Sequence, residues 1–262
     1  MCVCTFKRTD LLANLLRDLQ AQFTGGLFTY EVVVGDNDRE RSAESVTRAF
    51  SATSPLPITY CNEPEQNIAL MRNRTMEVAR GGLLAFIDDD EVPTSRWLYE
   101  LFQTQARYQA DAVLGPVLPR FVSTPAAWVT KGRFFDRPRH QTGFPIQWPE
   151  ARTGNVLLGN AVWKQLTPPF RPQFGSGGED VDFFRRLSDL GCTFVWCDEA
   201  TVDEFVPPYR CTRQFLLRRA LLRGSNFPKQ SARRARNICK SAKPRLPHAK
   251  AVRLSRFVQC FP

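Results

Sequence analysis

Three aspartates in a row, Asp88-Asp89-Asp90, follow directly on the apolar run Leu83-Leu84-Ala85-Phe86-Ile87. Carboxylates crowded at the end of a buried strand are rigidly held and repel one another, and a hard divalent cation that takes oxygen ligands relieves the repulsion. A solvated loop using Asp for its turn chemistry is the plainer reading, but the position after a buried run favours a cation. A second acidic pair, Asp36 and Asp38, ends the β-branched run Val32-Val33-Val34. Arg72 and Asn73 lie on a segment of helical spacing just upstream of the aspartates. The guanidinium fork there could pair with the acidic loops or a diphosphate, or could serve an exposed face or an internal ion pair. Gly175-Ser176-Gly177-Gly178 runs into Glu179-Asp180-Val181-Asp182. Acids in a helix's first turn cap its free N–H groups and offset its dipole; the alternative is a mobile glycine loop that delivers a carboxylate as general base.

These residues need a scaffold, and the apolar pattern supplies one. Cys2 to Phe6 reads as a short buried strand, followed by a helix opened by Asp10 with Leu11, Leu12, Leu15, Leu16 and Leu19 at helical spacing. Strands over 30–34 and 58–60, helices over 42–50 and 68–79, and the strand 83–87 continue the alternation. Strands alternating with helices mean a parallel sheet covered by helices, with ligands collecting at the carboxyl ends of the strands. A helix around 97–108 and a strand around 112–118 follow. Residues 119–153, rich in Pro, Arg and aromatics, read as an ordered excursion that walls a site. Regularity returns with a strand at 156–158, a helix at 179–190, a strand at 193–196 and a basic helix at about 212–223; no internal repeat is present.

Composition excludes several classes. The 262 residues are 43% hydrophobic and 24% charged, enough apolar material for one large α/β domain. No run approaches the roughly 18 uninterrupted apolar residues of a spanning helix, and the start lacks a signal-peptide pattern. Eight cysteines without CxxC pairs, and only two histidines (His140 and His248), argue against zinc and against Ser-His-Asp chemistry, and suit a reducing compartment. The net charge of +10 is uneven. Residues 207–262 hold 15 Lys and Arg and no acid, so the other 21 of 36 bases face all 26 acids in a mildly acidic body. A basic tail on such a body points to an anionic partner such as a membrane surface or a polyphosphate, with no nucleic acid expected.

The order of these features over residues 2–224 resembles the family 2 inverting glycosyltransferases of GT-A fold. Val3-Cys4-Thr5-Phe6-Lys7-Arg8, Glu63-Pro64-Glu65-Gln66-Asn67-Ile68-Ala69 and Phe86-Ile87-Asp88-Asp89-Asp90-Glu91 look most like the bacterial exopolysaccharide glucosyltransferases of the succinoglycan type. The resemblance implies an α/β, Rossmann-like and mostly parallel sheet with helices on both faces and an appended acceptor-side region. Residues 1–118 would form the nucleotide-sugar half, 119–226 the acceptor and catalytic half, and 227–262 a basic tail. It implies transfer of a sugar, expected to be glucose, from a UDP-sugar to a saccharide acceptor, expected to be lipid-linked, with Mg²⁺ or Mn²⁺.

Site roles follow from the same likeness. Thr5 and Arg8 would lie at the nucleotide pocket, Asp36 would meet the uracil or ribose, and Arg72 would approach the nucleotide. Asp90 would bind the metal directly, with Asp88 nearer the ribose or the metal's water shell and Asp89 beside them on the nucleotide-sugar side. Gly154 and Asn155 would flank donor sugar and acceptor, Asp180 would be the base with Glu179 its support, and Arg218 and Arg219 would stand near the diphosphate. Many relatives carry a metal-reaching His after the last core strand; this chain reads Val202-Asp203-Glu204-Phe205, leaving Asp203 or Glu204 as the substitute. The ends read as shortened or altered against relatives with further apolar helices. A nucleotidyltransferase would want a Gly-rich phosphate loop with a basic residue near the first strand, which Thr5 to Asp10 does not supply. A catalytically idle sugar-nucleotide-binding protein is the other alternative. The expected location is cytoplasmic, with the tail bound peripherally to the inner face of the plasma membrane.

Overall fold

A computed structural model describes residues 1–221. Its main sheet has seven strands in the order β3-β2-β1-β4-β8-β6-β9. These are β1 (Cys2–Thr5), β2 (Val32–Asp36), β3 (Ile58–Asn62), β4 (Leu83–Asp88), β6 (Ala112–Leu114), β8 (Asn155–Gly159) and β9 (Phe194–Trp196). A smaller sheet orders β5 (Glu91–Pro93), β10 (Val202–Val206) and β7 (Val117–Phe121) as β5-β10-β7. The first four strands of the main sheet, β1 to β4, pair in parallel, and β8 runs antiparallel between β4 and β6.

Helices α1 (Thr9–Gln20), α2 (Glu44–Thr53) and α3 (Ile68–Val78) make the crossovers between the parallel strands, and α4 (Trp97–Tyr108) follows β5. Short α5 (Ala127–Lys131) and α6 (Asn160–Trp163), then α7 (Glu179–Asp189) and α8 (213–221), complete the described chain. The period-2 alternation of β4 shows why both faces are covered. Ala85 and Ile87 join the cluster of Leu12, Leu15, Leu16, Leu19, Trp97 and Leu101. Leu84 and Phe86 join Met76, Phe183, Phe184 and Leu187 on the other face.

One expectation is corrected. The single strand foreseen at 112–118 is two, β6 and β7, in different sheets. They part at Gly115-Pro116, where a Cβ on Gly115 would sit 2.2 Å from the Ala200 carbonyl oxygen. The strand near 156 runs antiparallel within the mostly parallel sheet, and the excursion over 119–153 starts as strand and contains α5. All six described cysteines are unbonded, with burial pushing the Cys61 thiol up to about 12 and the Cys197 thiol to about 11. The tail beyond residue 221 lies outside the described residues.

Candidate active site

The chain leaves β1, builds β2 and β3 on one side and crosses to β4 on the other, so β1 and β4 flank the topological switch of the sheet. Helix α1, which follows β1, and α3, which precedes β4, pack on opposite faces of the sheet, so the crevice between them stays open at the carboxyl ends of the strands. Register brings Cys4 beside Asp88, and a cavity of about 830 Å³ opens there, within the usual range for small-molecule sites of roughly 300–1,000 Å³. Thr5, Arg8, Arg72, Asp88, Asp89 and Asp90 line it.

The three aspartates play different parts. Asp89 is buried, and Thr5 Oγ1 (2.7 Å) and Arg8 Nη1 (2.8 Å) donate to its carboxylate, which ties β1 to the turn after β4. Asp90 Oδ2 accepts from two guanidiniums, Arg8 at 3.2 Å and Arg210 at 2.9 Å. Asp88 opens toward the cavity with a side chain 47% exposed, and Arg72 Nη2 stands 3.7 Å away. Burial against the strand end, then the charges of Asp90, Asp89 and Glu204, push the Asp88 carboxyl up to about 6 against the pull of Arg72. Glu91 is buried below it and accepts the Asp88 N–H at 3.0 Å; burial and the Asp88 charge hold its carboxyl well above the usual range. Glycine leaves room beside them: a Cβ on Gly154 would lie 2.7 Å from Glu91 Oε1 and 3.0 Å from Asp88 Oδ2, so a larger residue would push these carboxylates aside.

Gly175 and Ser176 of the glycine loop line the cavity, and α7 starts just beyond them. Gly177 and Gly178 take positive φ of 128° and 86°, which glycine adopts without a Cβ penalty, and α7 begins at once after them. Its first-turn acids separate by face. Glu179 is buried on Arg72, which donates to it, and Asp182 is fully buried among Arg171 (3.3 Å), Arg185 (3.5 Å) and Arg186 (2.8 Å). Asp180 is half-buried, and its charge bears on both Arg72 and Glu179. Asp180 is thus the first-turn carboxylate that keeps most access to water, although neither it nor Glu179 lines the cavity.

Other expected residues fall elsewhere. Asp36 does not reach the cavity: it is fully buried and accepts from the N–H groups of Asp38 (3.0 Å) and Ala43 (2.8 Å) and from Tyr60 OH (3.1 Å). Its neighbour Asn37 lines the cavity instead. The Asn155 side chain is spent on Trp97 Nε1 and on the carbonyls of Pro116 and Ala200, so it braces the core rather than meeting a sugar. Arg218 and Arg219 lie on α8, where Arg219 stacks over Phe135, 5.8 Å from its centroid, and neither lines the cavity.

The base that lines the cavity from this end of the chain is Arg210, the first of the 15 bases counted over 207–262. Pro207 and Pro208 end β10 and turn Tyr209-Arg210 back over the aspartates, a proline signal that was legible. Strand alternation also separates the two candidate substitutes for the missing His: Glu204 lines the cavity and accepts from Arg210 at 3.0 Å, whereas Asp203 lies 3.9 Å from Arg120.

Comparison with known proteins gives this site a family. Residues 1–156 match the model of "Glycosyl transferase family 2", more than half of the chain. The chain belongs to glycosyl transferase family 2. "Succinoglycan biosynthesis protein ExoM" of Rhizobium meliloti (strain 1021) is 34% identical over 267 residues, covering 99% of this chain and 84% of that protein. "Glycosyltransferase AglE" of Haloferax volcanii is 26% identical over 171 residues, 65% of this chain and 55% of that one. Among solved structures, S. aureus TarS 1-349 superposes with a TM-score of 0.59 at 16% identity, covering 78% of this chain. Its complex with UDP-GlcNAc gives 0.60 at 17%. The chain spans 59% and 57% of those two structures. The fold is therefore the GT-A fold of these transferases, and the chain is a glycosyltransferase.

For a family 2 transferase the question is whether these residues suit the divalent cation the resemblance implies. Among the described residues no three His, Cys, Asp or Glu side chains converge as a ready-made cage. The donor chemistry fits nevertheless. Asp88 and Asp90 offer hard carboxylate oxygens at the wall of one cavity, the donor type a divalent cation takes. A cation held by Asp88 and Asp90 would need the rest of its oxygen shell from water and from a bound diphosphate.

Proposed function

We infer that this family 2 transferase moves a sugar, with inversion, from a UDP-sugar to a saccharide acceptor in exopolysaccharide synthesis. The observation that carries the reading is the set of paired acids and guanidiniums at the strand ends, Arg8, Arg72, Asp88, Asp90 and Arg210, that lines one cavity, with Arg72 tying it through Glu179 to the start of α7, where Asp180 keeps access to water. The likeness to ExoM, a succinoglycan biosynthesis protein, supports an exopolysaccharide product; TarS was solved with UDP and with UDP-GlcNAc, which supports a uridine donor, and glucose is the sugar we propose from the motif resemblance.

The proposed chemistry needs no protein nucleophile. An acceptor hydroxyl approaches the anomeric carbon from the face opposite the nucleotide, Asp180 takes its proton, the bond to UDP breaks and the configuration inverts. Arg72 positions the start of α7 by holding Glu179 while leaning on Asp88. Mg²⁺ or Mn²⁺ at Asp88 and Asp90 would supply Lewis-acid stabilisation of the departing diphosphate. A lipid-linked acceptor and a peripheral place at the cytoplasmic face of a membrane complete the reading; the basic tail supports them from sequence. Among the described residues no helix is long and apolar enough to cross a membrane.

A panel of UDP-sugars with Mn²⁺, scored by UDP release, tests the reading. Release with one donor, lost in Asp90→Asn, is the expected outcome. Binding of UDP-sugars with neither transfer nor hydrolysis would overturn it in favour of a catalytically idle binding protein.

A further inference from the structure

Asp90 has an unusual pair of partners for a residue expected to hold a cation. Arg8 Nη1 and Arg210 Nη2 both reach the same oxygen, Oδ2, at 3.2 and 2.9 Å, and Asp90 is only 9% exposed. Each arginine also has a second acid of its own: Arg8 pairs with Asp89 at 2.8 Å and Arg210 with Glu204 at 3.0 Å. Two guanidiniums on one carboxylate oxygen take up the acceptor directions of that oxygen, and their positive charge repels a cation approaching either oxygen. Their tethers matter as much. On releasing Asp90, Arg8 remains anchored by Asp89 and Arg210 by Glu204, so both stay at the cavity wall with donors free.

We propose that Arg8 and Arg210 clamp Asp90 in the ligand-free enzyme and exchange it for the donor's diphosphate, so that the cation loads on Asp90 only together with the nucleotide. Guanidinium forks recognise phosphate as well as carboxylate oxygens, which makes the exchange one of like partners. It couples two binding events. Whatever factor UDP adds to cation affinity by drawing the arginines away, the cation must add to UDP affinity, by linkage. Arg210 is the tighter half of the clamp: it makes the shorter bond to Asp90, its side chain is 15% exposed against 40% for Arg8, and the Pro207-Pro208 turn aims it. The proposal rests on the reading that Asp90 is a cation ligand.

The test is Mn²⁺ binding to the full chain, read from the electron paramagnetic resonance signal of free Mn²⁺ with and without UDP. Wild type should bind Mn²⁺ weakly alone and at least about tenfold more tightly with UDP, the lower part of the usual range of coupling between sites. Arg210→Met should tighten Mn²⁺ binding in the absence of UDP by about threefold or more, and shrink the gain that UDP brings. A purely structural arginine would not produce that gain in cation affinity. An Arg210→Met protein that binds Mn²⁺ alone no better than wild type would overturn the clamp. Should Arg210→Met fail to fold, Arg8→Gln, at the more exposed position, decides by the same readout. Asp90→Asn separates the two levels: if it abolishes UDP-dependent Mn²⁺ binding while the arginine variants change nothing, the clamp alone fails; if it changes nothing, the assignment of the cation to Asp90 fails and the clamp with it.

Discussion

Asp180 and Asp182 sit two positions apart on α7, which at about 100° per residue puts them on different faces of the helix. The surroundings match that separation: Asp182 is fully buried on arginines, while Asp180 stays half-exposed. Replacing Asp180 by Asn should therefore lower turnover by about two to four orders of magnitude, the range of general acid–base catalysis, with UDP affinity from calorimetry almost unchanged. Near-normal turnover in that variant would refute its role. The aspartates at the strand end were legible because a buried run stopped at three acids. Their division of labour was not, since it depends on Thr5 and Arg8 reaching Asp89 from more than 80 positions away. Glu91 passed unnoticed for the same reason. It is a buried acid whose proton is held by its surroundings, so from its ordinary value of 4.5 upward the native state keeps a proton that the unfolded chain loses. Stability contributed at low pH is then lost as pH rises. In a metal-free buffer, Glu91→Gln should melt a few degrees above wild type at pH 8, with a smaller gap at pH 5. A gap that narrows with rising pH would contradict that sign.

At the scale of elements, the alternation of strand and helix through β4 was plain in the sequence because each buried strand is bounded by polar or glycine residues and each helix carries an apolar stripe. The second half was less legible. A reversal such as that of β8 leaves no mark on the period of its side chains, and β5 is only three residues long. Gly154 stands where the two halves meet. Its missing Cβ leaves room for the Asp88 and Glu91 carboxylates, so Gly154→Ala should displace them or the β8 backbone. The expected cost is about 1–3 kcal/mol in chemical denaturation, as for other overpacked sites, with a larger proportional loss of Mn²⁺-dependent UDP binding. Wild-type UDP affinity in the folded variant would show that the carboxylate pair does not serve the donor.

Over the whole molecule, charge is partitioned: the acidic body carries the cavity, and the bases concentrate after residue 206. Arg210 belongs to the cavity, and α8 begins a different surface. There Leu217 and Leu221 are 66% and 74% exposed, and Arg213 lies over Trp128 with its guanidinium 5.7 Å from the ring centroid. Apolar and basic groups together suit an anionic lipid surface, to which each base adds on the order of 1 kcal/mol. Vesicle sedimentation should show binding to anionic lipid that weakens with salt and disappears on deletion of residues 228–262 while donor hydrolysis survives; equal binding to neutral vesicles would contradict it. The central claim concerns the reaction itself, a single displacement at the anomeric carbon with no covalent sugar–enzyme intermediate. The most direct measurement is time-resolved proton NMR of the first sugar released from an α-linked UDP-hexose, before mutarotation mixes the anomers. The β-anomer, or a β-glycoside when acceptor is present, is the predicted first product; initial release of the α-anomer would contradict the account.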